Sequence, residues 1–327
     1  MIETRPDSIS TIAFFNRVSA PKLRRWYKHH LSGFDQWDQA SHCLSYLLYP
    51  ENFTAHMAID EVALTNGEFF TIMTSRDRKG SKGKLAAFIS GTKTSEIEDV
   101  LKRLPETARS RVKEVTLDMA RPMAKSMANQ FPNAQQVLDR FHVERMVQGA
   151  LQHLRVDHRW KAIDQENEDI LQAKNKGQKY HQPQHENGDT PKQLLSRSRG
   201  LLYKKPYQWS QSQKQRAQIL FREYPDLQQA YACTIEFREV YELERRTDAV
   251  SAITRWITKW LGKMPHQFTA ATRSILINLD RITAFFDHRS TNGNAESFNA
   301  QIKSMRLLQK GVNCEKSFVF RLHKLYS

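Results

Sequence analysis

Cysteine is scarce in this chain: three in 327 residues, at Cys43, Cys233 and Cys314. They are far apart, with none of the paired spacings of a zinc site and no disulfide framework. A reducing, cytoplasmic compartment is therefore expected. A bound metal would be a hard cation held by oxygen. Long apolar runs are absent too. No stretch reaches the length needed to span a bilayer, so no membrane partner is expected. The opening Met-Ile-Glu-Thr-Arg-Pro-Asp lacks the apolar run of a signal peptide. Acidic residues fall short of basic ones, 35 Asp and Glu against 50 Lys and Arg, for a formal charge of +15 and a pI near 9.7. That balance points to a polyanionic partner, with nucleic acid ahead of an anionic membrane surface. The length suffices for a large core and roughly two domains.

The pattern along the chain divides it. Residues 1 to about 50 read as short helices. The apolar spacing of 8–18, and a second segment from Lys22 with a basic face, fit either part of a helix-turn-helix reader or a connecting arm. From residue 56 the period changes to that of strands: 57–64, the turn Thr65-Asn66-Gly67, then 68–74. After a charged loop at 76–84, a third strand is predicted at 85–90. A helix over 94–104 follows, capped by Ser95, with Ile97, Val100, Leu101 and Leu104 in one stripe. A fourth strand at 112–117, a helix from Pro122 to 130 and a fifth strand at 135–141 complete a βββαβαβ order. Residues 143–288 carry almost no strand signal and read as a helical insertion. Within it, 171–222 holds 11 Lys and Arg against two Asp and Glu, which predicts a surface for DNA backbone that includes Lys204 and Lys205. Trp160, Trp209, Trp256 and Trp260 fit core packing better than stacking on a flipped base.

The candidate chemistry lies in acids at three separate places. Asp60 sits in the alternating run His-Met-Ala-Ile-Asp-Glu, on the face of Ala58, which selects it over the neighbouring Glu61. Asp118 ends Val-Thr-Leu-Asp. Glu296 lies on a predicted helix whose apolar stripe is Ala295, Phe298, Ile302 and Met305. The other face carries Glu296, Asn299, Lys303, Arg306 and Lys310, and Asn292 or Asn294 is the expected cap. A mixed sheet with the five strands in the order 3-2-1-4-5 makes the Asp60 and Asp118 strands neighbours. Carboxylates at neighbouring strand ends, with a cation two turns beyond Glu296, suit two-metal phosphodiester chemistry. Asp139 and His142, in Asp-Arg-Phe-His, are secondary candidates: Asp139 either flanks the metals or caps the next helix, and His142 either positions water or serves that helix.

Four motifs occur in order: Ile59-Asp-Glu with Asn66-Gly, Val115-Thr-Leu-Asp-Met-Ala, Leu138-Asp-Arg-Phe-His and Thr291-Asn-Gly-Asn-Ala-Glu-Ser-Phe-Asn. Together they closely resemble the DDE transposases of bacterial insertion sequences, the ISL-three type above all, from about residue 50 onward. The resemblance implies an RNase H-like domain at 55–145 plus 287–327, a helical insertion at 146–286 and an N-terminal helical segment at 1–54. It implies a catalytic and metal-holding triad of Asp60, Asp118 and Glu296 with two Mg²⁺ or Mn²⁺ ions. It also implies DNA partners, the terminal inverted repeats and the target, with a homodimer acting on them in the cytoplasm at the nucleoid. Full-length relatives carry an N-terminal recognition region, often with a cysteine cluster. About 50 residues precede Asp60 here without one, so a separate recognition polypeptide is a further expected partner. The competing reading is a catalytically inactive or truncated DNA-binding derivative of such a transposase.

Overall fold

The computed structural model describes all residues except 1, 4–6, 65–66, 77–82 and 309–314, and all helix side chains but that of Asn294. The predicted turn at Thr65-Asn66, most of the charged loop and Lys310 lie outside the described residues. Helices α1 (Ile9–Phe15) and α2 (Ala20–Trp26) precede β1 (Tyr46–Leu48), β2 (His56–Ala63), β3 (Phe69–Ser75) and β4 (Leu85–Ser90). Then come α3 (Thr94–Leu101), α4 (Glu106–Arg111), β5 (Glu114–Leu117), α5 (Arg121–Gln130) and β6 (Gln135–Leu138). The long α6 (Arg140–Asn175) leads into α7 (Pro191–Arg197), α8 (Gln211–Glu223), α9 (Pro225–Val240), α10 (Arg246–Trp260), α11 (Thr269–Ile277), α12 (Leu279–Thr283) and α13 (Phe285–His288). The last two helices are α14 (Gly293–Leu308) and α15 (Glu315–Tyr326). Two compact units result, residues 1–139 with 288–327, and residues 140–287.

In the first unit one six-stranded sheet runs β1-β4-β3-β2-β5-β6. The β2–β3, β3–β4 and β1–β4 pairs are antiparallel; β2–β5 and β5–β6 are parallel. The five predicted strands therefore stand in the predicted order, because parallel neighbours need crossovers and α3–α4 and α5 supply them. The sheet is mixed α/β, in the RNase H-like arrangement. It has one strand more than the periodicity showed. Tyr46–Leu48 pairs with Ala87–Ile89 at the sheet edge, and three residues are too few to set a period. Lys93, not Ser95, occupies the N-cap of α3, where its backbone N–H donates to Glu96 Oε2 at 3.0 Å.

The core of this unit draws on both ends of the chain. Tyr27, Trp37 and Leu47 pack in one buried cluster with Ile72, Phe88 and Phe320. His323 of α15 stacks on Trp37 at 5.4 Å and on Tyr49 at 5.6 Å, and its Nδ1 lies 2.9 Å from the Tyr49 hydroxyl.

Among its described residues the second unit has helices and no strand. Trp256 is buried and its Nε1 donates to the Cys233 carbonyl at 2.9 Å; Trp209 donates to the Leu201 carbonyl at 2.8 Å. Trp160 is exposed. Asp189 is fully buried and accepts from Arg216 Nε at 2.8 Å and from Arg197. Burial lifts its carboxyl, but those bonds more than offset it and hold the group below the usual range. Within the basic stretch, Lys192 pairs with Glu166, Arg222 with Glu186 and Lys205 with Glu242. Lys204 is exposed. Part of the local positive excess is thus taken up inside the unit.

Candidate active site

The register of the parallel strands determines where the acids fall. Ala58 on β2 stands beside Thr116 on β5, and Thr116 beside Val137 on β6. Two residues farther along each strand come Asp60, Asp118 and Asp139. The three acids therefore lie in one row across three adjacent parallel strands, Asp60 within β2 and Asp118 and Asp139 just past the carboxyl ends of β5 and β6, where neighbouring chains run about 4.7–4.9 Å apart. The carboxyl ends of parallel strands in an open α/β sheet are where ligands bind, and at β5 and β6 the chain leaves the strand there for a helix. Asp139 N–H still donates to the Leu117 carbonyl at 2.9 Å, which keeps the row in line beyond the last strand residue.

A backbone N–H holds each acid. Asp60 Oδ1 accepts from Glu61 N–H at 2.8 Å and Asp118 Oδ1 from Ala120 N–H at 2.7 Å. Asp139 is 2% exposed and its Oδ1 accepts from Asn292 N–H at 3.1 Å. It stands between β6 and α6, at the N-cap position of a helix that starts at Arg140, so the strand ends at Leu138 and residues 140–141 of the predicted extension are helix. Glu61 also faces the row: burial, and then the Asp118 charge, raise its carboxyl above the usual range. Alternation along β2 separates Asp60 from Glu61, and it is the Glu61 carboxyl that feels the Asp118 charge.

Helix α14 brings the fourth acid. Ala295, Phe298, Ile302 and Met305 are buried, as their spacing predicts. The chain enters this helix through Arg289, at φ 53° in the left-handed region, and Ser290 Oγ donates to Glu114 Oε1 at 2.5 Å. Asn292 stands at the N-cap position of α14, where its carbonyl accepts from Glu296 N–H at 2.9 Å, while its side-chain Nδ2 donates to the Ile59 carbonyl at 3.4 Å. Glu296 is exposed on its first turn, and its carboxylate comes within 4.8 Å of that of Asp139. The set Asp60, Asp118 and Glu296 is not drawn within that distance of one another. Two ions about 3.5–4 Å apart, with ligands at about 2.1 Å, accept a wider spread of carboxylates than one ion does.

Below the row lies a buried charge group that the sequence did not reveal. Glu114, 3% exposed, faces Arg76 Nη1 at 3.4 Å and His56 Nδ1 at 3.7 Å. Arg76 also bonds Thr116 Oγ1. Burial lowers its pKa, and Glu114 and then Asp139 oppose that. Arg76 ends β3 far from β5 in sequence, so no spacing rule could pair them.

Asn299 turns inward, 6% exposed, and its Nδ2 donates to Asp60 Oδ2 at 2.7 Å. Arg306 reaches Glu68 at 3.5 Å and lies 5.1 Å over the Phe318 ring. Lys303 is exposed two turns after Glu296. His142 occupies the first turn of α6, in the second unit, and Lys204 and Lys205 belong to that unit too.

A family model described as a transposase, the ISL-three type of DDE transposase, matches residues 57–322. The chain belongs to that family. The match spans the sheet from β2 onward, the second unit and α14, so the row of acids and the helix bearing Glu296 are both inside it. No curated protein matches the transposase. One solved structure, the Drosophila P element transposase strand transfer complex, is similar to it at 10% identity and a TM-score of 0.40, covering 98% of this chain and 91% of that chain. The fold of this transposase rests on its own strand order, not on that likeness. Among its described residues no helix is long and apolar enough to cross a membrane.

Proposed function

We propose that this transposase cuts DNA at the ends of an insertion sequence and joins those ends to target DNA, using divalent metal held by Asp60, Asp118 and Glu296. The observation that carries the reading is the row of acids formed by Asp60 within β2 and by Asp118 and Asp139 just past β5 and β6, with Glu296 in reach of Asp139 at the end of that row. The donor set is all oxygen, as Mg²⁺ and Mn²⁺ require. Beside it, the buried Oδ1 atoms of Asn292 and Asn299 accept no hydrogen bond among the described residues, an arrangement that costs about 1–3 kcal/mol per atom and favours a nearby positive charge. Both features fit a pair of hard cations, which when bound would activate the attacking oxygen and stabilise the leaving one.

The protein's own share of the chemistry is positional. Asp60 and Asp118, each tied down by a backbone N–H, present carboxylates that need no reorientation. Glu296 stands on a helix fastened to two strands. Lys303, exposed on the same helix, supplies a phosphate contact that holds the scissile strand. Water is the nucleophile for cleavage, and a DNA 3′-hydroxyl for joining. The protein acts on DNA as a homodimer at the nucleoid.

The test is cleavage of an end-labelled duplex carrying an element end, with Mg²⁺ or Mn²⁺. Asp60→Ala, Asp118→Ala and Glu296→Ala should each abolish cutting and leave DNA binding in EDTA intact. Full activity in Glu296→Ala would refute the assignment. Binding without cutting by the unaltered chain would favour an inactive derivative.

A further inference from the structure

Two asparagines bracket Glu296, and both point into the site. Asn299 follows it by one turn; Asn292 precedes it by four residues. Asn299 Nδ2 donates to Asp60 Oδ2 at 2.7 Å and to the Glu61 carbonyl at 3.4 Å. Asn292 donates from Nδ2 to the Ile59 carbonyl at 3.4 Å and from its backbone to Asp139 at 3.1 Å. A carboxylate can only accept, so each amide has a single workable orientation, with its NH₂ toward the strand. Neither Oδ1 has a partner among the described residues. An asparagine whose task was to meet DNA would keep its amide at the surface. These are 6% and 0% exposed.

We propose that Asn299 is a positioning residue for Asp60. Its bond sets the rotation of that carboxylate and ties it to the helix one turn from Glu296. Two acids far apart in the chain are thereby held in register by one amide, while Asn292 does the same for the Asp139 side. Such an outer partner tunes how well a ligand set holds its ion, and its loss typically costs 10–100-fold in affinity. The inference rests on Asp60 being an ion-holding residue.

The experiment measures Mn²⁺ binding to the full chain by electron paramagnetic resonance, DNA affinity in EDTA by mobility shift, and thermal unfolding. The variants are Asn299→Ala and Asn299→Leu, the second keeping the volume while removing the donor, with Asp60→Ala as the reference. Both Asn299 variants should weaken Mn²⁺ binding about tenfold or more and leave DNA affinity in EDTA unchanged. If Asp60→Ala itself binds Mn²⁺ normally, the reading of the site fails, and the inference with it. If Asp60→Ala loses Mn²⁺ while both Asn299 variants bind it normally, the positioning role alone is overturned. A fall in melting temperature with unchanged Mn²⁺ affinity of the folded protein would show a merely structural residue. Lost DNA affinity in EDTA with normal Mn²⁺ binding would make Asn299 a DNA contact. Either result overturns the proposal.

Discussion

Replacing Glu114 by Gln tests whether the acids rest on a buried ion pair. The substitution keeps volume and an oxygen for Ser290, but removes the charge facing Arg76. The two side chains are 4% and 11% exposed and 3.4 Å apart. At an effective dielectric of about 20, that separation corresponds to about 5 kcal/mol of attraction. Thr116 Oγ1 and the Asp139 charge stay with Arg76, so the net loss belongs near the low end of the range for breaking a buried pair, about 3 kcal/mol. In a unit of roughly 180 residues each kcal/mol moves the transition by about 2–4 °C, so the midpoint should fall by about 6–12 °C. Scanning calorimetry reads the shift, and hydrogen exchange in 112–118 assigns it to the first unit. The double variant Glu114→Gln with Arg76→Met should recover part of the loss, since no unpaired cation then stays buried. A shift below about 2 °C, or strictly additive single variants, would refute a coupled pair.

Two further outcomes follow from other parts of the molecule. His323 has its pKa lowered by burial first and by Lys324 next, so the folded chain favours the neutral ring that accepts from Tyr49. Its contribution to stability is present above the unfolded histidine value of about 6.5 and is lost as pH falls below it; the midpoint should drop between neutral and mildly acid pH, and His323→Phe should flatten that slope. DNA affinity in EDTA should fall steeply with salt, and Lys303→Ala should weaken it on every sequence while lowering the logarithmic salt slope by about 1; an unchanged slope would remove Lys303 from the phosphate contacts.

Local pattern settled most of the architecture. Period-two runs marked β2 through β6, and the spacing of Ala295, Phe298, Ile302 and Met305 marked the buried face of α14, because burial of one face imposes its period on the residues. Acids on β2, just past β5 and on a late helix were legible as a constellation, and the motif order identified the family. The sheet order 3-2-1-4-5 followed once the crossovers were counted. What the pattern could not decide were matters of partner choice between distant segments. Asn299 and Lys303 alternate on one helix in the same polar run, yet one is buried against Asp60 and the other is exposed. Three residues at 46–48 form a strand because β4 offers an edge. Glu114 and Arg76 find each other across 38 positions of chain. Periodicity reports which face of an element is buried, whereas hydrogen-bond and charge partners depend on the register in which whole elements pack, and only the tertiary structure supplies that.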